Sequence, residues 1–233
     1  MNPDAITTPF KRTIRSFVMR TGRMTPSQEK ALAEQWPIYG LNADGAVLDF
    51  AAIFGRQAPV VLEIGFGMGD SLLAMAQAAP EKDFIGIEVH LPGVGRLMNL
   101  AQQAGTTNLR VMKDDAVEIL KKQVPDGSLS GVQIFFPDPW HKKKHHKRRI
   151  VQPEFVALLA QKMVPGGILH LATDWAEYAE HMMEVMSAAP DFRNTLGDGQ
   201  FTDGRPAFRP ETKFERRGHK LGHGVWDLLF ERV

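Results

Sequence analysis

The middle of the chain alternates short strand-like runs with segments of helical spacing, and this alternation restricts the possible folds more than any other feature. The strand-like runs are rich in β-branched and aromatic residues, and their weak period-2 alternation is typical of strands covered on both faces. They are VVLEIG (60–65), DFIGIEV (83–89), LRVMKD (109–114), GVQIFF (131–136) and GILHLAT (167–173). Amphipathic segments such as SLLAMAQAA and PEFVALLAQKMV lie between them. The pattern predicts an α/β fold with a doubly wound, mostly parallel sheet.

The two ends of the chain depart from this alternation. The last strand-like run, VWDLLFERV (225–233), follows an irregular and basic segment at 197–224. Because neither a repeat nor a low-complexity linker interrupts the rest, we predict a single domain at 59–233. Residues 1–58 are predicted to form a basic extension packed on that domain, with a helix at 26–36 that starts at a capping box.

Composition excludes several classes of protein. The chain has 233 residues and no cysteine, so disulfide scaffolds, thiolate zinc sites and thiol catalysis are ruled out. No apolar run reaches the ~18 residues of a membrane span, and the polar start MNPDAITTPFKR lacks the apolar core of a signal peptide. We therefore expect a soluble protein of the cytoplasm. Residues 10–24 are rich in Arg and free of acids, which is also a property of organellar transit peptides.

The net charge of +1 hides a strong asymmetry. Lys and Arg outnumber Asp and Glu six to two in residues 1–30, six to two in residues 205–220, and six to none in residues 141–149. The rest of the chain is therefore net acidic. Concentrated basic patches on an acidic body indicate a polyanionic partner, because a concentrated field steers and holds phosphates. Solvated charge runs are the alternative interpretation.

A glycine turn follows the first predicted strand, in the sequence LEIGFGMGD. Gly65, Gly67 and Gly69 let the backbone approach a bound ligand, where a Cβ atom would collide. Their spacing differs from the dinucleotide pattern G-x-G-x-x-G, and Glu63 lies two positions before the first glycine. A carboxylate there repels a pyrophosphate but suits an ammonium or a sulfonium. A tight structural turn is the alternative.

Acidic residues also follow the next two predicted strands. Glu88 closes FIGIEV, 23 residues after Gly65, where an acid hydrogen-bonds ribose hydroxyls in nucleotide-binding sheets. Asp115 follows the third strand, at the position where an adenine edge would lie. Both residues are alternatively N-caps of helices. Three acids at successive strand ends beside a glycine turn predict a site for a nucleoside with a cationic tail.

The fourth strand runs directly into the sequence FFPDPWHKKKHHKRR, residues 135–149. Asp138 stands between two prolines beside the crevice where sheet ligands bind, and it is the leading catalytic candidate. Trp140 either stacks on a base or packs under the loop. Nine Lys, Arg and His residues follow it, and the six permanent cations among them are expected to neutralise phosphates of a polyanionic partner, with a nuclear localisation tract or a solvated helix face as alternatives. Their cation density opposes a metal site.

Six stretches together resemble the bacterial tRNA (guanine-N7-)-methyltransferase family, from about Ile14 to Val233. They are LEIGFGMG, GIEVH, DDAVEIL, FFPDPWHKKKHHKRR, ATDW and TKFERRGHKLGHGVWDLLFE. The family's fold is the class I S-adenosylmethionine-dependent methyltransferase sheet of seven strands, the last of them antiparallel. Its product is 7-methylguanine in the tRNA variable loop. The resemblance therefore implies S-adenosylmethionine as cofactor and tRNA as partner.

The resemblance also implies roles for individual residues. Four acids correspond to positions that contact S-adenosylmethionine: Glu63, Glu88, Asp115 and Asp138. The substrate-binding positions correspond to Lys142, Asp174, Thr212, Lys213, Phe214 and Glu215. The RNA-contacting segment corresponds to Lys144, His145, His146, Lys147, Arg148 and Arg149. From the residues alone, Asp174 and the run 212–215 are also predicted as helix caps.

The absence of cysteine narrows the reaction. Methylation of a pyrimidine at C5 usually needs a cysteine nucleophile, so we expect the acceptor to be a heteroatom with its own lone pair. Guanine N7 is such an acceptor and needs no obligatory general base, so the site must align the reacting atoms, with Asp138 placed to stabilise charge on the purine. Transfer to an exocyclic base amine and a non-catalytic RNA-binding protein are the alternatives. No metal or membrane is expected, and monomer and homodimer stay open.

Overall fold

The computed structural model describes residues 15–18, 22–212, 215–216 and 224–233. The helices of this part are α1 (Pro26–Tyr39), α2 (Phe50–Phe54), α3 (Asp70–Ala78), α4 (Leu91–Gln103), α5 (Ala116–Lys122), α6 (Pro153–Lys162) and α7 (Ala176–Ser187), with a 3₁₀-helix at Lys143–Arg148. The strands are β1 (Gly40–Leu41), β2 (Val60–Ile64), β3 (Asp83–Ile87), β4 (Leu109–Met112), β5 (Leu129–Phe135), β6 (Met163–Thr173), β7 (Phe192–Asn194) and β8 (Trp226–Arg232). Among the described helices, none has the length and apolar character needed to cross a bilayer.

The strands form one sheet in the order β1-β4-β3-β2-β5-β6-β8-β7. Pairs among β1 to β6 are parallel, and β8 is antiparallel to both β6 and β7. The predicted fold, mostly parallel with an antiparallel last strand, is confirmed. The sheet has eight strands instead of seven because Gly40 and Leu41 pair with Val111 and Met112. A two-residue strand is too short to show a period in the sequence.

Hydrophobic residues cover both faces of the sheet, as the strand pattern predicted. Along β2, Leu62 and Ile64 belong to one buried cluster and Val61 belongs to another. The first cluster includes residues of α5, α6 and α7, and the second includes residues of α3 and α4. The alternation follows from strand geometry, in which successive side chains point to opposite faces. Helices therefore cover the two faces, and the strand ends are left to carry the site.

The helix predicted in the amino-terminal extension is α1. Its capping box is present: the Thr25 hydroxyl accepts from the Gln28 N–H at 3.3 Å, and the Gln28 side chain accepts from the Thr25 N–H at 2.8 Å. The helix continues past Pro37 to Tyr39, beyond the predicted end at 36. It packs on α4, where a Cβ atom on Gly95 would lie 2.6 Å from the Gln28 carbonyl oxygen.

Candidate active site

The carboxyl ends of the parallel strands β2 to β6 meet at one edge of the sheet. Because β8 is antiparallel, its first residue, Trp226, pairs with Thr173 at the end of β6. The chain that precedes β8 therefore reaches the same edge as the chain that follows β2 to β6. Ligands of such sheets bind outside these carboxyl ends. The topology thus gathers predicted site residues that are far apart in the sequence.

A cavity of about 340 Å³ opens at this edge, a size within the range of small-molecule sites. Its wall includes five of the residues predicted to bind a cofactor: Gly65, Gly67, Glu88, Asp115 and Asp138. A neighbouring cavity of about 490 Å³ shares the Asp115 wall. The acids of three strand ends and the glycine turn therefore face one space.

The three glycines of the turn have positive φ angles but two different surroundings. Gly65 (φ 77°) and Gly67 (φ 58°) lie in the cavity wall, and a Cβ atom on either would meet no protein atom within 4 Å. Gly69 (φ 84°) is the N-cap of α3, where a Cβ atom would lie 2.7 Å from the Leu97 side chain. Gly65 and Gly67 thus leave room for a ligand, whereas Gly69 serves helix packing.

Glu88, which follows β3, hydrogen-bonds to the glycine turn. Its Oε2 atom accepts from the Gly67 N–H at 2.8 Å, and Oε1 accepts from the N–H groups of Val89 and His90 at 2.7 and 2.9 Å. His90, and not Glu88, is the N-cap of α4. Glu88 is therefore a carboxylate held in the cavity wall by backbone donors, as a hydrogen-bond acceptor for a ligand would be.

Glu63 is buried, with 2% of its surface exposed, and it immediately precedes the cavity residue Ile64. Burial, and secondarily the charge of Glu88, raises the pKa of Glu63 to about 8. Its Oε2 atom has no hydrogen-bond partner among the described residues, and neither has Oε1 of Gln133, its register neighbour on β5. Neither residue is in the wall of the cavity, so contact between Glu63 and a cofactor stays a prediction.

Asp115 combines an N-cap position with a place in the cavity wall. Its Oδ1 atom accepts from the Val117 N–H at 3.0 Å, which caps α5. Burial raises the pKa of the Asp115 carboxyl, against the lowering effect of the Val117 N–H. Capping uses one carboxylate oxygen, so the cap interpretation does not compete with ligand binding.

The Pro-Asp-Pro loop presents Asp138 on an unusual backbone. Phe136 (φ 51°) and Trp140 (φ 49°) flank the loop, and in the described part of the chain they are the non-glycine residues with positive φ. Such conformations cost roughly 1–3 kcal/mol each and persist where surrounding contacts stabilise them. They cluster at ligand sites, in agreement with the position of Asp138 in the cavity wall.

Residues 15–18, here called the amino-terminal strap, close one side of the cavity. The Trp140 indole N–H donates to the Ser16 carbonyl oxygen at 3.1 Å, and Arg148 donates to two other strap carbonyl oxygens at 3.0 and 3.1 Å. The Arg148 guanidinium also lies over the Trp140 ring at 3.7 Å. Trp140 thus packs against the strap and Arg148, and its stacking on a base stays a prediction. The strap was not predicted, since so short an irregular segment has no periodicity.

The basic run divides into an outer part and an inner part. Four of its predicted RNA contacts are exposed or half-buried: Lys144, His145, His146 and Lys147. Arg149 differs, because its side chain is 2% exposed, donates to the Pro139 carbonyl oxygen at 2.9 Å and pairs with Glu177 at 3.2 Å. Arg149 therefore ties the run to α7, and its predicted contact with RNA does not agree with this buried position.

Lys142 and Asp174 lie on two loops that touch. The His141 ring packs edge-on against the Trp175 ring, with centroids 4.2 Å apart. Asp174 does not cap α7: the N-cap residue is Trp175, whose side chain makes no capping hydrogen bond, and the Trp175 N–H donates to the Thr173 hydroxyl at 3.3 Å. The Asp174 carboxylate is thus not used for capping. Within the described residues no group of three His, Asp or Glu side chains is arranged to hold a metal ion.

The predicted capping box before β8 is present. The Glu215 N–H donates to the Thr212 hydroxyl at 3.1 Å, and the Thr212 N–H donates to Glu215 Oε2 at 3.4 Å. Lys213 and Phe214, predicted with them, lie outside the described residues. Glu215 is buried and paired with Arg209, a residue that sequence reasoning did not select.

The strand order, the glycine turn and the acids at three successive strand ends together define a class I S-adenosylmethionine-dependent methyltransferase fold. The family model described as "Putative methyltransferase" matches residues 57–228. A tRNA (guanine-N(7)-)-methyltransferase of Aeromonas hydrophila subsp. hydrophila is 62% identical over 96% of this chain and 94% of its own. One of Hydrogenovibrio crunogenus is 57% identical over 100% and 98%. The chain therefore belongs to the tRNA (guanine-N(7)-)-methyltransferase family.

Solved structures share the fold at much lower identity. The 16S rRNA methyltransferase KamB superimposes with a TM-score of 0.60 at 17% identity, over 80% of this chain and 95% of its own. A mutant 16S rRNA (adenine(1408)-N(1))-methyltransferase of Catenulisporales acidiphilia, solved with the cosubstrate SAM, gives 0.55 at 16% identity, over 80% and 92%. Both likenesses support the sheet architecture alone.

Proposed function

We propose that this protein transfers the methyl group of S-adenosylmethionine to N7 of a guanine in the variable loop of tRNA. The observation that carries the proposal is the position of Asp138, which lies in the cavity wall and directly before the exposed basic run. One loop thus joins a place for a methyl donor to a surface for phosphates. The names of the family's members state the same reaction class.

The cavity fits S-adenosylmethionine by charge as well as by size. Glu63 and Gln133 offer the two donor-free acceptors to a cationic amino-acid end, Glu88 faces the ribose, and Asp115 lies toward the adenine. Gly65 and its neighbours keep the turn free of Cβ atoms. When bound, the cofactor would supply an electrophilic methyl group to the acceptor.

The chain's own residues have to hold the base and stabilise charge, since guanine N7 brings its lone pair and no proton. Asp138 is proposed to face the purine, where a carboxylate stabilises the positive charge that the ring acquires. The strained backbone at Phe136 and Trp140 restricts where that carboxylate points. Asp138 also lies in the cofactor wall, so it is placed to orient both reactants.

The tRNA is proposed to meet the exposed cations and the loops beside them. Lys142, Asp174 and the segment 212–215 surround the acceptor base in this proposal. The outer residues of the basic run bind phosphates, and they are Lys144, His145, His146 and Lys147. Arg148 is not among these phosphate-binding residues, because its guanidinium already donates to carbonyl oxygens of the strap. The enzyme is proposed to act in the cytoplasm, as a monomer or a homodimer.

Nucleoside analysis tests the proposal. Unmodified tRNA is incubated with the protein and S-adenosylmethionine, digested, and analysed by mass spectrometry; we expect 7-methylguanosine and no other new methylated nucleoside. N2-methylguanosine or N6-methyladenosine would instead show transfer to an exocyclic amine. Binding of tRNA without any methyl transfer would show a non-catalytic RNA-binding protein.

A further inference from the structure

The largest fully buried side chain among the described residues is an arginine. Arg209 is 0% exposed and forms a fork with each of two carboxylates. Its Nε and Nη2 atoms donate to Asp227 at 2.6 and 2.8 Å, and Nη1 and Nη2 donate to Glu215 at 2.7 and 3.2 Å. A further contact joins Nη1 to the Pro210 carbonyl oxygen at 3.5 Å. The five N–H donors of the guanidinium therefore all have acceptors.

We propose that Arg209 is a positioning residue, which ties Glu215 and, through the capping box, Thr212 to the sheet, and so sets the place of the acceptor base relative to the methyl donor. The proposal rests on the proposed function, in which these residues surround the guanine. Arg209 itself has no exposed surface for the substrate. Its effect on the reaction must therefore pass through the residues that it holds.

One end of the tie is the sheet. Asp227 lies on β8 and is 1% exposed, and His170 on β6 contacts the same carboxylate, with Nε2 2.6 Å from Oδ1. Burial lowers the pKa of His170, so the neutral imidazole donates from Nε2. Its Nδ1 atom, which lacks a partner among the described residues, then carries a lone pair and no proton. Two strands thus fix the Asp227 carboxylate that holds Arg209.

The other end of the tie is the capping box. Both oxygens of Glu215 are occupied, by Arg209, by the Thr212 N–H and by Arg205 at 3.4 Å. Glu215 is therefore bound within the protein and shapes the segment, instead of offering a free carboxylate to the base. Two arginines face two carboxylates in this cluster, and Arg205 is 40% exposed.

The same guanidinium touches the strand end that leads to Asp138. Its central carbon lies 5.7 Å from the Phe135 ring and 5.6 Å from the Phe136 ring, and both rings belong to the cavity wall. Phe136 is also one of the strained residues that flank the Pro-Asp-Pro loop. Arg209 therefore contacts both the capping box, which is proposed to lie beside the base, and the strand end that leads to Asp138. Methyl transfer requires a fixed distance between these two parts of the site.

Orientation is a better account of this cluster than stability. Buried ion pairs add little net stability compared with apolar packing of the same volume, because desolvation offsets their attraction. A guanidinium, however, donates to carboxylates as a planar fork, and this fixes their orientation relative to it. A lysine keeps the charge but lacks the fork, so Arg209→Lys removes the geometry and leaves a counterion for the acids.

The experiment compares Arg209→Lys and Asp227→Asn with the wild-type enzyme, measuring kcat, KM for tRNA and Kd for S-adenosylmethionine. We expect Arg209→Lys to lower kcat about 100-fold, the scale of a misplacement of about 1 Å. The KM for tRNA and the Kd should change less than threefold, because the phosphate contacts lie on the basic run and Arg209 meets the cavity only through the Phe135 and Phe136 rings, which the substitution leaves in place. Asp227→Asn, in which Arg209 keeps Glu215 as counterion and the fold should survive, is expected to lose about tenfold in kcat.

Arg56→Lys is the matched control. Arg56 donates from Nε and Nη2 to Oδ1 of Asp83, a residue that is 1% exposed and begins β3 at the opposite edge of the sheet. This variant should lower the unfolding midpoint and leave kcat unchanged. The proposal is overturned if folded Arg209→Lys and Asp227→Asn keep kcat within threefold, or if kcat and cofactor binding fall together. Failure of the wild type to form 7-methylguanosine would instead refute the proposed function.

Discussion

The acidic residues on the two sides of the active-site edge differ in whether they form ion pairs. At the ends of β2, β3 and β4, Glu63, Glu88 and Asp115 take part in none of the ion pairs found among the described residues. On the other side, beyond β5, Glu215 and Asp227 are both held by one buried guanidinium group, that of Arg209. Carboxylates without counterions indicate a cationic ligand, whereas neutralised ones indicate a scaffold.

The cations divide in the same manner. Arg149 and Arg209 are buried and serve the scaffold, whereas the lysines of the basic run face solvent. Arginine suits the buried positions because its fork satisfies carboxylates with fixed geometry. Exposed lysines suit phosphates, which attract charge without requiring one orientation. Asp138 stands at the boundary between the two sides.

The largest expected effect is at that boundary. Asp138→Ala should lower kcat roughly 100- to 1,000-fold, because it removes the carboxylate placed to stabilise positive charge on the purine. The affinity for tRNA should change less than twofold, since the phosphate contacts remain. Steady-state kinetics and a filter-binding titration measure the two quantities, and Asp198→Ala in an exposed loop is the control. Normal turnover in Asp138→Ala would remove the residue from the reaction.

The next largest effect is expected at Glu63, one of the acids without an ion pair. Glu63→Gln keeps the shape of the side chain and removes its charge, and we expect the Kd for S-adenosylmethionine to rise about 10-fold or more, since a charge-assisted contact is lost. Calorimetric titration measures this. An unchanged Kd would mean that Glu63 does not meet the cationic end of the cofactor.

The same residue predicts a pH dependence with a defined sign. The pKa of Glu63 is raised from 4.5 to about 8, so the folded protein without ligand favours the neutral acid, and the associated stability is lost as pH rises from about 4.5 through 8. Cofactor binding needs the carboxylate, so affinity should rise as the pH increases from about 6 to 8. In Glu63→Gln this dependence should disappear; a wild-type profile equally flat between pH 6 and 8 would contradict it.

A smaller effect is expected to distinguish the exposed lysines of the basic run from Arg148. Neutralising Lys143, Lys144 and Lys147 should weaken tRNA binding and reduce the slope of log K against log salt by about 2, since each lost phosphate contact removes about 0.7 to 0.9. Arg148→Lys should change the slope by less than 1 but raise the cofactor Kd a few-fold, because Arg148 holds the strap. An unchanged slope in the triple variant would show that the run does not meet phosphate.

The smallest effect is expected in helix α1, away from the active-site edge. Thr25→Ala removes a hydroxyl from the α1 capping box and should cost about 1 kcal/mol of unfolding free energy, as N-cap losses do. Turnover and cofactor affinity should stay at wild-type values. Chemical denaturation measures the first, and a parallel loss of turnover would mean that α1 supports the site more directly than its packing on α4 indicates.

Much of this arrangement was predictable, because it depends on local signals. Strand period, the glycine turn and the acids at strand ends all lie within short windows, and the structure places Gly65, Glu88, Asp115 and Asp138 around one cavity. The two-residue strand β1 gives no such signal. The inward turn of Arg149 depends on Glu177, which lies 28 positions away.

Arg209 shows the same limit more sharply. In the sequence it is one cation of a basic segment, and nothing beside it identifies Asp227 as its partner. Tertiary neighbours decide whether a charged residue is buried. A count of charges therefore predicts an exposed Arg209, whereas the structure shows it buried in an ion pair with Asp227. The amino-terminal strap was missed for a related reason, since its role comes from Trp140 and Arg148, more than 100 positions away.

The most direct test of the account places a single 7-deazaguanosine at the acceptor position of a tRNA. This base has a C–H group in place of N7 and keeps the exocyclic amine, the phosphates and the ring shape. We predict that the tRNA binds with nearly unchanged affinity and receives no methyl group, while the matched guanosine tRNA is fully converted to 7-methylguanosine. Methyl transfer to the 7-deazaguanosine tRNA at a comparable rate would contradict the account, because the acceptor would then be another atom.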